Sequence, residues 1–239
     1  MEFSPLSHEE ALRELISLYP ISEEQALAMI AHLELVIEKN KEINLTRIDT
    51  FESGFLLHIC DSLAALPEIN DAPEGRYGDL GAGGGFPGVP LALATGRPTL
   101  LVDSVKKKIA ALEEMISKLD YEADIRCHAG RIEDLARTER ESFAVLTARA
   151  LSSLPSLMEL SSPLLQRGGR LICFKSHVSD DDLSHAVDLE KKLALRLVSD
   201  RQFSFGADDM LRRIIVFERV GFPSVKLPRR SGLAQKQPF

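Results

Sequence analysis

Asp79-Leu80-Gly81-Ala82-Gly83-Gly84-Gly85-Phe86-Pro87-Gly88 is the stretch that decides the fold. The residues before it, Arg76–Leu80, predict a short strand, and those after it, about Gly88–Ala94, predict a helix. A glycine-rich turn joining a strand to a helix is the context a nucleotide-binding loop requires. In sheets built this way the ligand lies beyond the carboxyl ends of the strands, at the point where the strand order reverses. Glycines there permit positive φ and let the backbone approach the ligand closely.

Two adenosine cofactors compete for such a loop. Against the dinucleotide fingerprint G-x-G-x-x-G, Gly81 and Gly83 match, but the third glycine position is Phe86. That position must be small where a dinucleotide-type helix packs on its strand. Pro87 beside it suits the first turn of a helix. S-adenosylmethionine carries no pyrophosphate and leaves the helix N-terminus free of an anion. Its carboxylate, amine and sulfonium suit a glycine-lined pocket with carboxylates nearby. The loop therefore reads as an S-adenosylmethionine site with Gly81, Gly83, Gly85 and Phe86 against the cofactor, and the chain as a methyltransferase. Asp103 closes the next predicted strand, 22 residues after Gly81. An acid there can accept hydrogen bonds from ribose hydroxyls. Its alternative is to cap the helix predicted over Val105–Leu119, for which Ser104 is the better candidate. Asp79 either orients the loop or faces the cofactor amine.

Working outward, strands are predicted at Thr99–Asp103, Asp124–His128, Phe143–Thr147 and Arg170–Lys175, with two more near Leu195–Phe203 and Arg212–Arg219. Helices fill the gaps at about Val105–Leu119, Arg131–Thr138, Ser153–Leu165 and Asp180–Lys192. Strands alternating with helices imply a parallel, doubly wound sheet. The last two strands have no long helix between them, which predicts an antiparallel hairpin at the edge. The fold class is thus α/β, a Rossmann-like class I S-adenosylmethionine-dependent methyltransferase with a seven-stranded, mostly parallel sheet. Two helices precede it. Ser7 with Glu10 and Ser22 with Gln25 have capping-box spacing, and Ala26, Met29, Ile30, Leu33, Val36 and Ile37 make a one-sided apolar stripe. A third helix is predicted over Phe55–Leu66, ending near Pro67. The organisation expected is a helical extension over 1–70, a core over 71–220 and a basic, extended tail over 221–239.

Composition is that of a globular protein, 44% hydrophobic and 27% charged. No apolar run approaches the roughly 18 residues of a membrane span. An acidic start (Glu2, Glu9, Glu10) predicts no secretory leader. Cys60, Cys127 and Cys173 are odd in number and scattered, and read as reduced thiols in a cytoplasmic protein rather than a disulfide framework or metal cluster. The net charge of −7 excludes a protein that coats nucleic acid by bulk charge. Yet Leu211–Phe239 holds seven basic residues and one acidic one, leaving +6 there and −13 on the rest. A basic end on an acidic body points to a local anionic partner.

Several segments resemble one family. Asp79–Leu91 is similar to the glycine-loop motif of the bacterial 16S rRNA guanine-N7 methyltransferases, RsmG, also called GidB (glucose-inhibited division protein B). Asn44-Leu-Thr46 with His58-Ile-Cys-Asp-Ser-Leu63, Leu101-Val-Asp-Ser104 with Lys108, Arg131-Ile-Glu133, Thr147-Ala-Arg-Ala150, and the tail segments Leu227–Gly232 and Lys236–Phe239 resemble further family segments in order. The resemblance implies cofactor contacts at Gly81, Phe86, Asp103, Ser104, Ile132, Glu133 and Arg149. It also implies methylation of a guanosine N7 in 16S ribosomal RNA or the small subunit. Guanine N7 bears a lone pair and no proton, so no catalytic acid or base is assigned, and no metal. RNA contacts are expected from Arg149, Lys175, Lys226, Arg229, Arg230 and Lys236. Lys175 precedes Ser176, where many members have glycine, and its role stays open. Lys106, Lys107 and Lys108 are either a solvated helix face or part of the RNA surface. His58 and Asp61, one turn apart, either meet at the cleft or form a structural pair. The chain is expected as a monomer without membrane association. Rival readings are a small-molecule or protein methyltransferase, and a cofactor-binding regulator without turnover.

Overall fold

The computed structural model describes residues 6–205 and 210–239; Glu2 of the acidic start lies outside them. The chain opens with α1 (His8–Leu18) and α2 (Glu23–Asn40). Both capping boxes form in both directions, Ser7 with Glu10 and Ser22 with Gln25. The stripe of α2 is buried at Ala26, Met29, Ile30, Leu33 and Val36.

The third helical segment departs from expectation. α3 (Phe51–Gly54) runs into a π-helical stretch, Phe55–Cys60, and one further turn, α4 (Asp61–Leu63). Pro67 does not end this segment but sits in the first turn of a separate helix, α5 (Leu66–Asn70). A proline there lacks only an N–H that would have had no intrahelical partner.

The core then alternates: β1 (Tyr77–Leu80), α6 (Gly88–Thr95), β2 (Thr99–Asp103), α7 (Lys106–Ile116), β3 (Ile125–Ala129), α8 (Ile132–Thr138), β4 (Phe143–Arg149), α9 (Leu154–Ser161) and β5 (Leu165–Lys175). β5 begins at the last residue of the helix predicted before it, ahead of the strand start predicted at Arg170. The helix predicted over Asp180–Lys192 divides into α10 (Asp180–Asp188) and α11 (Glu190–Leu193). β6 (Leu195–Phe205) and β7 (Met210–Arg219) pair antiparallel. The seven strands lie in the order β3-β2-β1-β4-β5-β7-β6. β1 to β5 run parallel, and β7 enters antiparallel to β5. The order reverses beside β1, with β2 on one side and β4 on the other, which puts the switch point at the glycine loop.

β1 is buried along its whole length, as a parallel strand covered on both faces must be. One apolar layer joins the sheet to α1, α2, α5 and α6 through residues such as Leu15, Met29, Leu33, Ile69 and Leu91. The other joins it to α8, α9 and α11 through Leu135, Leu157, Met158 and Leu193.

The tail expected to be extended is packed instead. Leu227 and Ala234 are buried in the second layer, and Leu233–Lys236 forms a short helix, α12. Burying those apolar groups removes the reason for a solvated chain, which composition alone could not reveal. Among the described residues, no helix is long and apolar enough to cross a membrane.

Candidate functional site

The loop leaves β1 with positive φ at Gly81, Gly83 and Gly85. Gly85 has the least freedom to change. A Cβ built there would lie 2.7 Å from His32 Nε2 and 2.9 Å from Leu112 Cδ1. Gly88 is tight for another reason: its Cβ would fall 2.3 Å from Leu101 Cδ2.

Asp79 orients this loop rather than facing the cavity. Its Oδ2 accepts the Gly88 N–H at 3.1 Å. Its Oδ1 accepts the Thr147 hydroxyl at 2.7 Å, and Thr147 in turn meets the Tyr77 hydroxyl at 2.7 Å. Thr147 is the register partner of Asp79 on β4. The carboxyl is 1% exposed. Burial pushes its pKa up to about 6, against the opposing pull of the Thr147 bond, Arg149 and the Gly88 N–H.

Phe86 explains why the third dinucleotide glycine is absent. Its buried ring is stacked on His58 at 4.4 Å and 6° and lies 5.1 Å from the ring of His32. It pins the loop to α2 on one side and the π-helical stretch on the other. His32 meets the Gly84 carbonyl at 2.9 Å through Nε2, which must then carry the proton. Its Nδ1 is buried without a partner. Burial lowers the His32 pKa to about 4, so the ring is neutral at pH 7.

Beside the loop, Arg149 at the end of β4 donates to the Leu57 carbonyl at 2.9 Å, to Asp61 Oδ2 at 2.9 Å and to His58 Nδ1 at 3.0 Å. A neutral His58 accepting at Nδ1 carries its proton on Nε2, which faces the Thr46 hydroxyl at 2.9 Å. Burial first, then Arg149 and His32, lower the His58 pKa to about 3. Asp61 Oδ1 accepts from Arg212 Nε at 2.8 Å. One buried carboxylate therefore holds two guanidiniums, and His58 and Asp61, rather than pairing with each other, are bridged at the cleft by Arg149.

These groups line one cavity of about 640 Å³. Gly81, Gly83, Phe86, Asp103, Arg149 and Lys175 all border it. Asp103 accepts the Gly83 N–H at 3.1 Å through Oδ2 and the Val105 N–H at 2.8 Å through Oδ1. Each oxygen keeps a lone pair for a ribose hydroxyl. Ser104 is exposed and does not cap α7, which has no side-chain cap. A smaller cavity adjoins, bordered by Gly81, Asp103, Ser104, Ile132, Glu133 and, from the tail, Gln235. Gly85 lies behind the loop against His32 rather than at either cavity wall.

The expected RNA contacts divide. Lys175 donates to the Ser152 carbonyl at the cavity edge. Lys226, Arg230 and Lys236 are exposed. Arg229 has a different geometry: it forms a two-pronged ion pair with Glu159, itself 2% exposed, and its guanidinium lies 3.9 Å from the Phe239 ring centroid. A buried carboxylate needs a partner, and Arg229 supplies it. Lys106 and Lys107 are exposed, and Lys108 borders the cavity. Burial pushes the three thiols, of Cys60, Cys127 and Cys173, up to about 12. Cys60 and Cys173 are buried and Cys127 is half-buried. Sequence reasoning missed His32, Tyr77, Thr147 and Gln235; only His32 left a trace, as a polar residue inside an apolar stripe.

The profile of the family described as rRNA small subunit methyltransferase G (GidB) matches residues 25–207. The chain is similar to ribosomal RNA small subunit methyltransferase G of Limosilactobacillus reuteri (strain DSM 20016), 32% identical over 225 residues that cover 92% of this chain and 93% of the relative. It is equally similar to the protein of that name from Oenococcus oeni, 32% over 226 residues and 92% of each chain. Among solved structures it resembles a SAM-dependent methyltransferase from Methanosarcina mazei, with a TM-score of 0.53 at 15% identity, over 64% of this chain and 97% of that one.

Proposed function

Because the chain belongs to the rRNA small subunit methyltransferase G family, we propose that it transfers a methyl group from S-adenosylmethionine to N7 of one guanosine in 16S ribosomal RNA, in the cytoplasm. The observation that carries this reading is a cavity bordered by Gly81, Gly83 and Asp103 together with Arg149 and Lys175.

The residues fit the donor. Asp103 retains acceptor capacity at the end of β2 for the ribose. The slot beside Ile132 and Glu133 suits adenine. When bound, S-adenosylmethionine supplies a methyl group on a cationic sulfur, and a purine nitrogen with a lone pair and no proton needs no base to take it. The protein's part is then positioning and exclusion of water. Asp61, Leu57 and His58 fix the Arg149 guanidinium, which has five N–H groups and three engaged, so two remain for an incoming base or phosphate. His58 and His32, both neutral, add no cation where the product base becomes positive. Leu45, Ile48, Phe174 and Phe203 give the cavity an apolar side for an unstacked base.

The test uses labelled S-adenosylmethionine with 16S rRNA, naked and in small subunits from cells lacking the enzyme, and maps the base by cleavage at N7-methylguanosine. Label at one guanosine N7 is expected. Donor binding without transfer to either form would overturn the ribosomal assignment.

A further inference from the structure

The last thirteen residues of the chain, 227–239, pack against α8 and α9, and Gln235 among them borders the small cavity beside Asp103. Leu227 and Ala234 are buried with the residues of α9. The Gly232 N–H donates to Glu133 Oε1. The Ser231 hydroxyl donates to Asp134 Oδ1 at 2.9 Å, and Ser156 donates to the Ala234 carbonyl at 2.8 Å. Arg229 is paired with Glu159. These ties reach α8 and α9, the two helices that flank the small cavity beside Asp103. Glu133 is 6% exposed, and one of its oxygens is held by the tail, so its carboxylate anchors the segment.

The consequence falls on Gln235. It directly follows the buried Ala234, and it borders the small cavity together with Gly81, Asp103, Ile132 and Glu133. The rest of that slot offers apolar walls from Val102, Ile132, Leu151 and Leu160. An adenine ring carries both donors and acceptors along its edge, and an apolar slot with one carboxamide is a chemical match: the amide offers two N–H donors and a carbonyl acceptor.

We propose that Gln235 is a donor-binding residue whose carboxamide closes the adenine end of the pocket, positioned by the ties of the C-terminal segment to Glu133, Asp134, Ser156 and Glu159. This rests on the donor reading above. It makes the tail a component of the cofactor site, where the sequence offered only an arm for RNA.

The test measures binding of S-adenosylmethionine, S-adenosylhomocysteine and 5′-methylthioadenosine by calorimetry to the full chain and to Gln235→Ala. 5′-Methylthioadenosine keeps the adenine and ribose and lacks the amino-acid end. Gln235→Ala is expected to weaken all three by the same factor, about three- to tenfold, the worth of one neutral hydrogen bond. Its unfolding midpoint without ligand should match wild type, because the side chain is exposed. Unchanged affinity for 5′-methylthioadenosine would overturn the inference while leaving the donor site intact. So would a loss matched by a lower ligand-free midpoint, which would make Gln235 merely structural. A wild-type protein that binds none of the three would overturn the donor site itself.

Discussion

Asp79→Asn separates what the buried carboxylate does for the loop from what it costs the fold. Asp79 is 1% exposed, and burial raises its pKa from 3.8 to about 6. A carboxyl whose folded pKa is raised contributes stability that is fully present below the unfolded value and lost as pH rises through the folded one. Here the window is roughly pH 4 to 6. A shift of about two units at 1.36 kcal/mol each amounts to about 3 kcal/mol lost by pH 7. Asparagine has nearly the same shape and no charge to desolvate. It can accept only one of the two bonds that Asp79 accepts, from Thr147 and Gly88; losing the other costs about 1–3 kcal/mol. Asp79→Asn should therefore be less stable than wild type at pH 4 and equal or up to about 2 kcal/mol more stable at pH 7. His32 and His58 act in the opposite sense. Their lowered pKa values contribute stability present above about pH 6.5 and lost as pH falls towards about 4 and 3. Both proteins carry these histidines, so the difference between them cancels that slope. Urea unfolding at pH 4, 5, 6 and 7 provides the measurement. Parallel stability curves for the two proteins would refute the reasoning. Donor affinity should fall in the variant even where stability rises, because one loop tie is gone.

Asp61→Ala leaves Arg149 and Arg212 without their shared carboxylate; at 18% and 21% side-chain exposure they keep some hydration, so a loss of about 2–4 kcal/mol in urea unfolding is expected, together with loss of methyl transfer. Gly85→Ala forces a positive φ on alanine and a contact 2.7 Å from His32 Nε2; it should cost about 2–4 kcal/mol, whereas Gly96→Ala, with open space around its Cβ, should cost only about 1–2 kcal/mol. Replacing Lys226, Arg230 and Lys236 together by Gln should lower the slope of log affinity for single-stranded rRNA against log salt by about 2, with no change in unfolding midpoint.

The sheet was legible because its signals are local. Asp79 to Gly88 lies between a strand and a helix, and Asp103 ends the next strand, so spacing alone located the glycine turn at the switch point. The same locality limited the rest. The Phe55–Cys60 segment has ordinary helical composition, and nothing in it announces a π-helical turn; that turn depends on packing against α2 and Phe86. Thr147 and Tyr77 support Asp79 through strand register, 68 residues apart for Thr147 and Asp79, and register is not written in either segment. Gln235 is a polar residue in a polar stretch. Its place at the small cavity follows only from Leu227 and Ala234 being buried nearby.

Charge shows the same limit with a consequence for function. The sequence places seven basic residues in Leu211–Phe239, reads that end as facing an anionic partner, and expects RNA contacts from Lys226, Arg229, Arg230 and Lys236 of the tail. Four of the seven pair inside the protein: Arg212 with Asp61, Arg213 with Asp200, Arg219 with Glu141 and Arg229 with Glu159. Their partners lie 151, 13, 78 and 70 residues away, so no local count of charge could find them. Residue type sorts the outcome better than position does. A planar guanidinium matches a carboxylate in two-point geometry and tolerates burial, whereas a lysine ammonium holds its water. All four paired residues are arginines, and two of the three exposed ones are lysines. The outward positive charge is therefore smaller than the +6 of the segment and sits on a body of −13. RNA held by so few phosphate contacts cannot be gripped along its length. On the function proposed above, recognition would then fall to the cleft bordered by Arg149, Lys175 and Lys108, through the shape of one unstacked base and its immediate backbone.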